Sequence, residues 1–211
     1  MDNITEHFKE ALLSSDEEAA RRIMYESKQH YTSLQFIENV VVNILDHIGD
    51  DWEKGEYALS QVYMSGKICE RLVDSLLVDH SVLHKAKPKM AIVLFNDYHA
   101  LGKRIVLAHL KAGGYKVTDY GRMDTEELIE RACKEQIELL FVSVLMLSSA
   151  LRIKEVVQQI HQRCPGLKIA VGGAPFRLNS GLWQEVGADF VGFTAVDALS
   201  IASSFNGGQQ S

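Results

Sequence analysis

Three short segments gather the residues most able to do chemistry: Asp97-x-His99-x-x-Gly102, the run Ser143-x-Leu145 on to Ser149, and Gly172-Gly173. One histidine, small hydroxyls and a double glycine suit a large flat ligand, because glycine lets backbone approach it closely. The glycines do not form GxGxxG and no GxxxxGK[ST] is present, which weakens the dinucleotide and P-loop readings. Plainer roles stand beside these. His99 could brace a loop, Asp97 could cap the following helix, Ser143 and Ser149 could be helix-start hydroxyls, and Gly172-Gly173 could simply bend the chain. The three cysteines, Cys69, Cys133 and Cys164, are scattered without a CxxC. They suggest neither a disulfide framework nor a zinc cluster and are read as inert, which fits a reducing cytoplasm.

The elements that position these residues follow from the pattern around them. Strands are expected at Met90–Phe95, Tyr115–Tyr120, Leu139–Leu145, Lys168–Val171 and Asp189–Phe193. They are apolar without clean alternation, as in strands covered on both faces. Helices are expected between them at Leu101–Ala112, Asp124–Gln136, Ser149–Arg163 and Leu178–Val186, and a last one at Val196–Ser203 before a tail, Asn206–Ser211, read as disordered. This α/β alternation predicts an open, doubly wound parallel sheet of five strands in the flavodoxin-like, Rossmann-like order 2-1-3-4-5. That order puts the ligand crevice at the carboxyl ends of strands 1 and 3, where the three segments fall.

Upstream the chain reads differently. Residues 1–87 hold 16 acids and 9 bases, whereas residues 88–211 hold 12 acids and 13 bases, all three prolines and 12 of the 15 glycines. A domain boundary is therefore expected at 87/88, with Val82–Lys89 as linker. Ser15 with Glu18 and Thr32 with Gln35 have capping-box spacing. An apolar stripe follows from Leu34 to Ile48, with Gly49 as a helix stop. A further helix runs from Tyr57 through Val62, Tyr63 and Met64 towards Leu83, with a break at Gly66. Four or five such helices make a small bundle. The acidic half and the near-neutral half offer no basic stripe, which disfavours nucleic acid. Met1–Glu10 is too polar for a secretory signal, and the longest apolar run, Leu139–Leu151, is 13 residues and too short to span a bilayer.

Taken in order, Asp97-x-His99-x-x-Gly102, Ser143-x-Leu145 and Gly172-Gly173 resemble the fingerprint of cobalamin-binding domains. The helical half resembles the cap upstream of such domains in corrinoid methyl carriers, through Gly49-x-x-Trp52-x-x-Gly55-Glu56 and Ser60-Gln61-Val62-Tyr63-Met64-Ser65. The resemblance implies a cobalamin cofactor with His99 as lower axial ligand of cobalt in place of the cofactor's own benzimidazole. Asp97 would fix the imidazole tautomer and raise its basicity, with Ser149 behind it. Ser143, Leu145 and the double glycine would line the slot for the cofactor tail, and Val62, Tyr63 and Met64 would cover the upper cobalt face. Ala100, Leu101 and Leu147 depart from the family's usual acid, isoleucine and threonine. The implied function is a non-catalytic corrinoid subunit that carries a methyl group between methyltransferases. A cobalamin sensor is the alternative, weakened because Val62-Tyr63 stands where light sensors have Glu-His. A mutase cobalamin subunit or a storage protein is a further one.

Overall fold

Thr32 begins a helix with the reciprocal bonds its spacing promised. Thr32 Oγ1 accepts from the Gln35 amide at 3.3 Å, and Gln35 Oε1 accepts from the Thr32 amide at 3.0 Å. The computed structural model describes residues 3–76 and 85–207, in two units, Met1–Asp79 and His80–Ser211. The first holds α1 (Asn3–Leu13), α2 (Glu17–Glu26) and α3 (Ser33–Phe36), which continues through a π-helical stretch (Ile37–Val42) into α4 (Asn43–Glu53). A longer helix, α5 (Leu59–Leu76), closes it. Phe8, Leu12, Met24, Phe36, Ile44, Ile48 and Leu72 form the buried interior, with the Phe8 and Phe36 rings edge to face at 5.3 Å.

Three helix signals are corrected. Asp16, not Ser15, caps α2 by accepting from the Ala19 amide at 2.9 Å; Ser15 is the turn residue, at φ 59. Gly49 lies inside α4, an interior glycine that costs only about 1 kcal/mol. The stop is Gly55, whose φ of 82 provides the left-handed exit after the Lys54 cap. Gly66 leaves α5 unbroken. Residues 77–84, which include the start of the expected linker, lie outside the described residues, as do 208–211 of the tail.

The second unit is a five-stranded parallel sheet in the order β2-β1-β3-β4-β5, as the sequence implied. The strands are β1 (Lys85–Phe95), β2 (Tyr115–Met123), β3 (Leu139–Ser143), β4 (Lys168–Gly172) and β5 (Phe190–Gly192). Five longer and shorter helices join them: α6 (Leu101–Ala112), α7 (Thr125–Lys134), α8 (Leu147–Arg163) and the pair α9 (Ala174–Leu178) and α10 (Leu182–Glu185). The last, α11 (Ala195–Gly207), follows β5. One face of the sheet packs Val93, Phe95, Leu140 and Val142 against α7 and α8 residues. The other packs Ile92, Leu139 and Phe141 against α6 and α11 residues. Of the helix expected over 178–186 only 182–185 forms, and a separate short helix, 174–178, precedes it; Asn179 Oδ1 accepts from the Gly181 amide at 3.1 Å in the turn between them. Cys133 and Cys164 are not inert thiols. They are joined in a disulfide with Cα atoms 5.8 Å apart, at the ends of α7 and α8. The sequence separation of 31 conceals how successive crossover helices bring those ends together.

Candidate functional site

The carboxyl end of β1 turns sharply at Asn96, which takes the left-handed φ of 54. The turn sends the Asp97 side chain inward, where it is 4% exposed. Its Oδ2 accepts from the amides of Leu145, at 2.6 Å, and Met146, at 3.2 Å. Its Oδ1 accepts from Ser149 Oγ at 3.2 Å. Met146, the N-cap of α8, makes no side-chain capping bond; Asp97, in the loop after β1, ties down the two residues that lead into this helix. The positive end of α8 favours a carboxylate there. Ala100, not Asp97, is the N-cap of α6, which removes the plainer reading of Asp97 as the cap of its own following helix. Asp97 thus staples the loops after β1 and β3, the pair that flank the switch point. His99, two residues on, is half-buried.

Across the strand ends, Leu94, Ser143, Gly172 and Gly192 stand side by side in register. Three of the four carry little or no side chain, so the sheet ends in a low strip of backbone, a trough in side-chain height only. Glycine is required there by close approach. A Cβ on Gly172 would sit 2.9 Å from the Gly192 carbonyl oxygen; one on Gly173, at φ 120, would sit 1.8 Å from that of Val144. Gly102 faces Ser143, whose Oγ would be 3.8 Å from a Cβ at that position. Around the trough, Tyr98, Leu145, Met146, Leu147 and Phe193 expose large apolar surface, an apolar rim of the kind that marks a ligand site.

The structure therefore gathers Asp97, His99, Gly102, Ser143, Leu145, Ser149, Gly172 and Gly173 on the loops at one end of one sheet. Leu145 contributes its amide, not only its side chain. Val62, Tyr63 and Met64 belong to the first unit, on α5, where Tyr63 and Met64 are exposed and Val62 is half-buried. Trp52 is 42% and Met64 36% exposed, so both lie on the surface of the helical unit. Lys103, on α6, is 5% exposed and pairs with Asp119. The sequence reading missed Arg122, whose Nε donates to the Asp97 carbonyl at 3.0 Å.

A doubly wound sheet with a histidine loop and a glycine trough at its switch point defines a cofactor-binding domain of the flavodoxin-like class. Models of B12 binding domains match residues 4–77 and 89–201, and the chain belongs to this B12-binding family. A corrinoid protein of Desulfitobacterium hafniense is 26% identical, covering 97% of this chain and 98% of the relative. Monomethylamine corrinoid protein 1 of Methanosarcina barkeri is 31% identical over 74% of this chain and 75% of its own. The solved structure of a Methanosarcina barkeri monomethylamine corrinoid protein superposes with a TM-score of 0.83 at 25% identity, covering 96% of this chain and 98% of that one.

Cobalamin is the cofactor of this family, and the site's features fit it. The exposed apolar side chains beside the strand ends suit the edge of a macrocycle. Asn96 Nδ2 is buried without a hydrogen-bond partner among the described residues, a donor left for a ligand acceptor. No helix among the described residues is long and apolar enough to cross a membrane.

Proposed function

We propose that this protein is a corrinoid carrier: a subunit without catalytic groups of its own that holds cobalamin and presents it in turn to a methyl-donating and a methyl-accepting methyltransferase. The observation that carries the reading is the end-to-end correspondence with a monomethylamine corrinoid protein, helical unit included. Bound cobalamin supplies a cobalt centre that takes up and gives back a methyl group. The chain's own residues do the rest. His99 would offer its imidazole to the cobalt, and Asp97, anchored through Oδ2 to the Leu145 amide and through Oδ1 to Ser149 Oγ, would orient that imidazole. Ser143, Gly172 and Gly173 admit the tail. Val62, Tyr63 and Met64, on α5 of the helical unit, would shield the bound cofactor from water and oxidants.

The test is electron paramagnetic resonance of the Co(II) form, with nitrogen-15 placed either in protein histidine or in the benzimidazole. The expected coupling tracks labelled histidine and disappears in His99→Gly, while cobalamin stays bound through the tail slot. Coupling that tracks the labelled benzimidazole would remove His99 from the cobalt. Methyl passage to a neighbouring methyltransferase separates a carrier from a sensor, which would instead change its assembly on illumination.

A further inference from the structure

β2 carries an irregularity beside the site. Ile92 pairs with Asp119 and Leu94 with Arg122, so two steps along β1 are matched by three along β2. The extra residue makes a bulge, and Gly121 takes the left-handed φ of 69 within it. Tyr120 and Met123, three residues apart, consequently share one buried core. In an unbroken strand Arg122 would fall on the same face as Tyr120, in that core, because side chains alternate with period two. The bulge turns it outward instead. The bulge is itself pinned, since Asp119 Oδ1 accepts from the Gly121 amide at 2.7 Å and pairs with the buried Lys103 ammonium.

So aimed, Arg122 grips the loop after β1 twice. Its Nε donates to the Asp97 carbonyl at 3.0 Å, and its guanidinium carbon lies 4.2 Å from the centroid of the Tyr98 ring. Asp97 is therefore held from two sides: its carboxylate by the loop before α8, its peptide by β2. His99 follows directly on the two gripped residues. We infer that Arg122 is a positioning residue for His99, fixing the loop from the side opposite the Asp97 carboxylate. The consequence for cobalt rests on the carrier reading given above; the consequence for the loop does not. The guanidinium is needed as a plane with a directed Nε–H, which an ammonium cannot imitate.

The test uses the full chain and two variants, Arg122→Met and Arg122→Lys. Arg122 is exposed, so both should fold, and the amide spectrum checks this. In cofactor-free protein, nitrogen-15 relaxation should show Asp97–Ala100 as ordered as Ala91–Val93 in the wild type. In both variants order should fall at Asp97–Ala100 alone. In protein loaded with cobalamin and reduced to Co(II), both variants should retain the cofactor. The ratio of histidine-ligated to unligated cobalt should drop about tenfold, the usual cost of losing a residue that orients a metal ligand. Unchanged loop order in Arg122→Met would overturn the inference, and so would full restoration by Arg122→Lys. If wild-type protein binds cobalamin without histidine coupling, the axial-ligand reading fails, while the relaxation data still decide the role of Arg122.

Discussion

Asp97 concentrates more of this site than any other residue. Two amides and a hydroxyl converge on its buried carboxylate, so Asp97→Ala strands three donors at once. A loss of about 3 kcal/mol is expected in urea unfolding, with a smaller loss for Asp97→Asn, which keeps one oxygen. Gly173→Ala puts a methyl group where the Val144 carbonyl already stands, at a φ of 120. We expect it to cost more than about 1 kcal/mol and to lower cobalamin retention on gel filtration. The types and order of Asp97, Ser149 and Gly173 single them out in the sequence, since each is a residue whose chemistry or lack of a side chain restricts where it can stand. Arg122 was not legible in that way. One arginine in an amphipathic segment looks like any other, and only the extra residue in the β2 register shows which way it faces.

Among the elements, the loops and strand ends opposite the site depend on Asp189. Its Oδ1 accepts from Lys168 Nζ at 2.7 Å; its Oδ2 accepts from the Ile169 amide at 2.9 Å and bonds His161 Nε2 at 3.1 Å. Burial alone would push this carboxyl up, but Lys168, the Ile169 amide and His161 together hold it below the usual aspartate range. A carboxyl lowered by folding contributes stability that is complete above the unfolded value, about 3.9, and is lost as pH falls through the lower folded value. Circular dichroism should therefore show wild-type stability falling through this group only below about pH 4. Asp189→Asn should be less stable at neutral pH and should show a shallower fall in that acid window. The parallel strands were recognisable because burial on both faces leaves continuous apolar runs. The region 174–185 was not, because its helices are too short to develop a periodicity and the Asn179 turn that divides them is a single side-chain bond.

At the scale of the molecule, the expectation is that the division of labour is real. We propose that a fragment of residues 80–211 folds alone and keeps cobalamin, since the histidine loop and the glycine trough both lie within it. The cut must precede Lys85, where β1 begins; the boundary expected at 87/88 would remove strand residues. The Co(I) form of this fragment should oxidise faster in air-equilibrated buffer than that of the full chain, followed by visible absorbance, if Val62, Tyr63 and Met64 provide cover. Equal rates would leave the helical unit without that role. Composition announced the two architectures, because glycine and proline collect where turns are frequent.

The Cys133–Cys164 link bears on how the electrons in this protein are counted. A strong reductant that reaches this link opens it as well, and the two sulfurs then take up two electrons and two protons, becoming thiols, with none of those electrons reaching the metal. A reductive titration followed by charge passed will overstate the cobalt present, whereas one followed by corrin absorbance will not. The gap between the two curves is a direct assay of the fraction of molecules in which the link is closed.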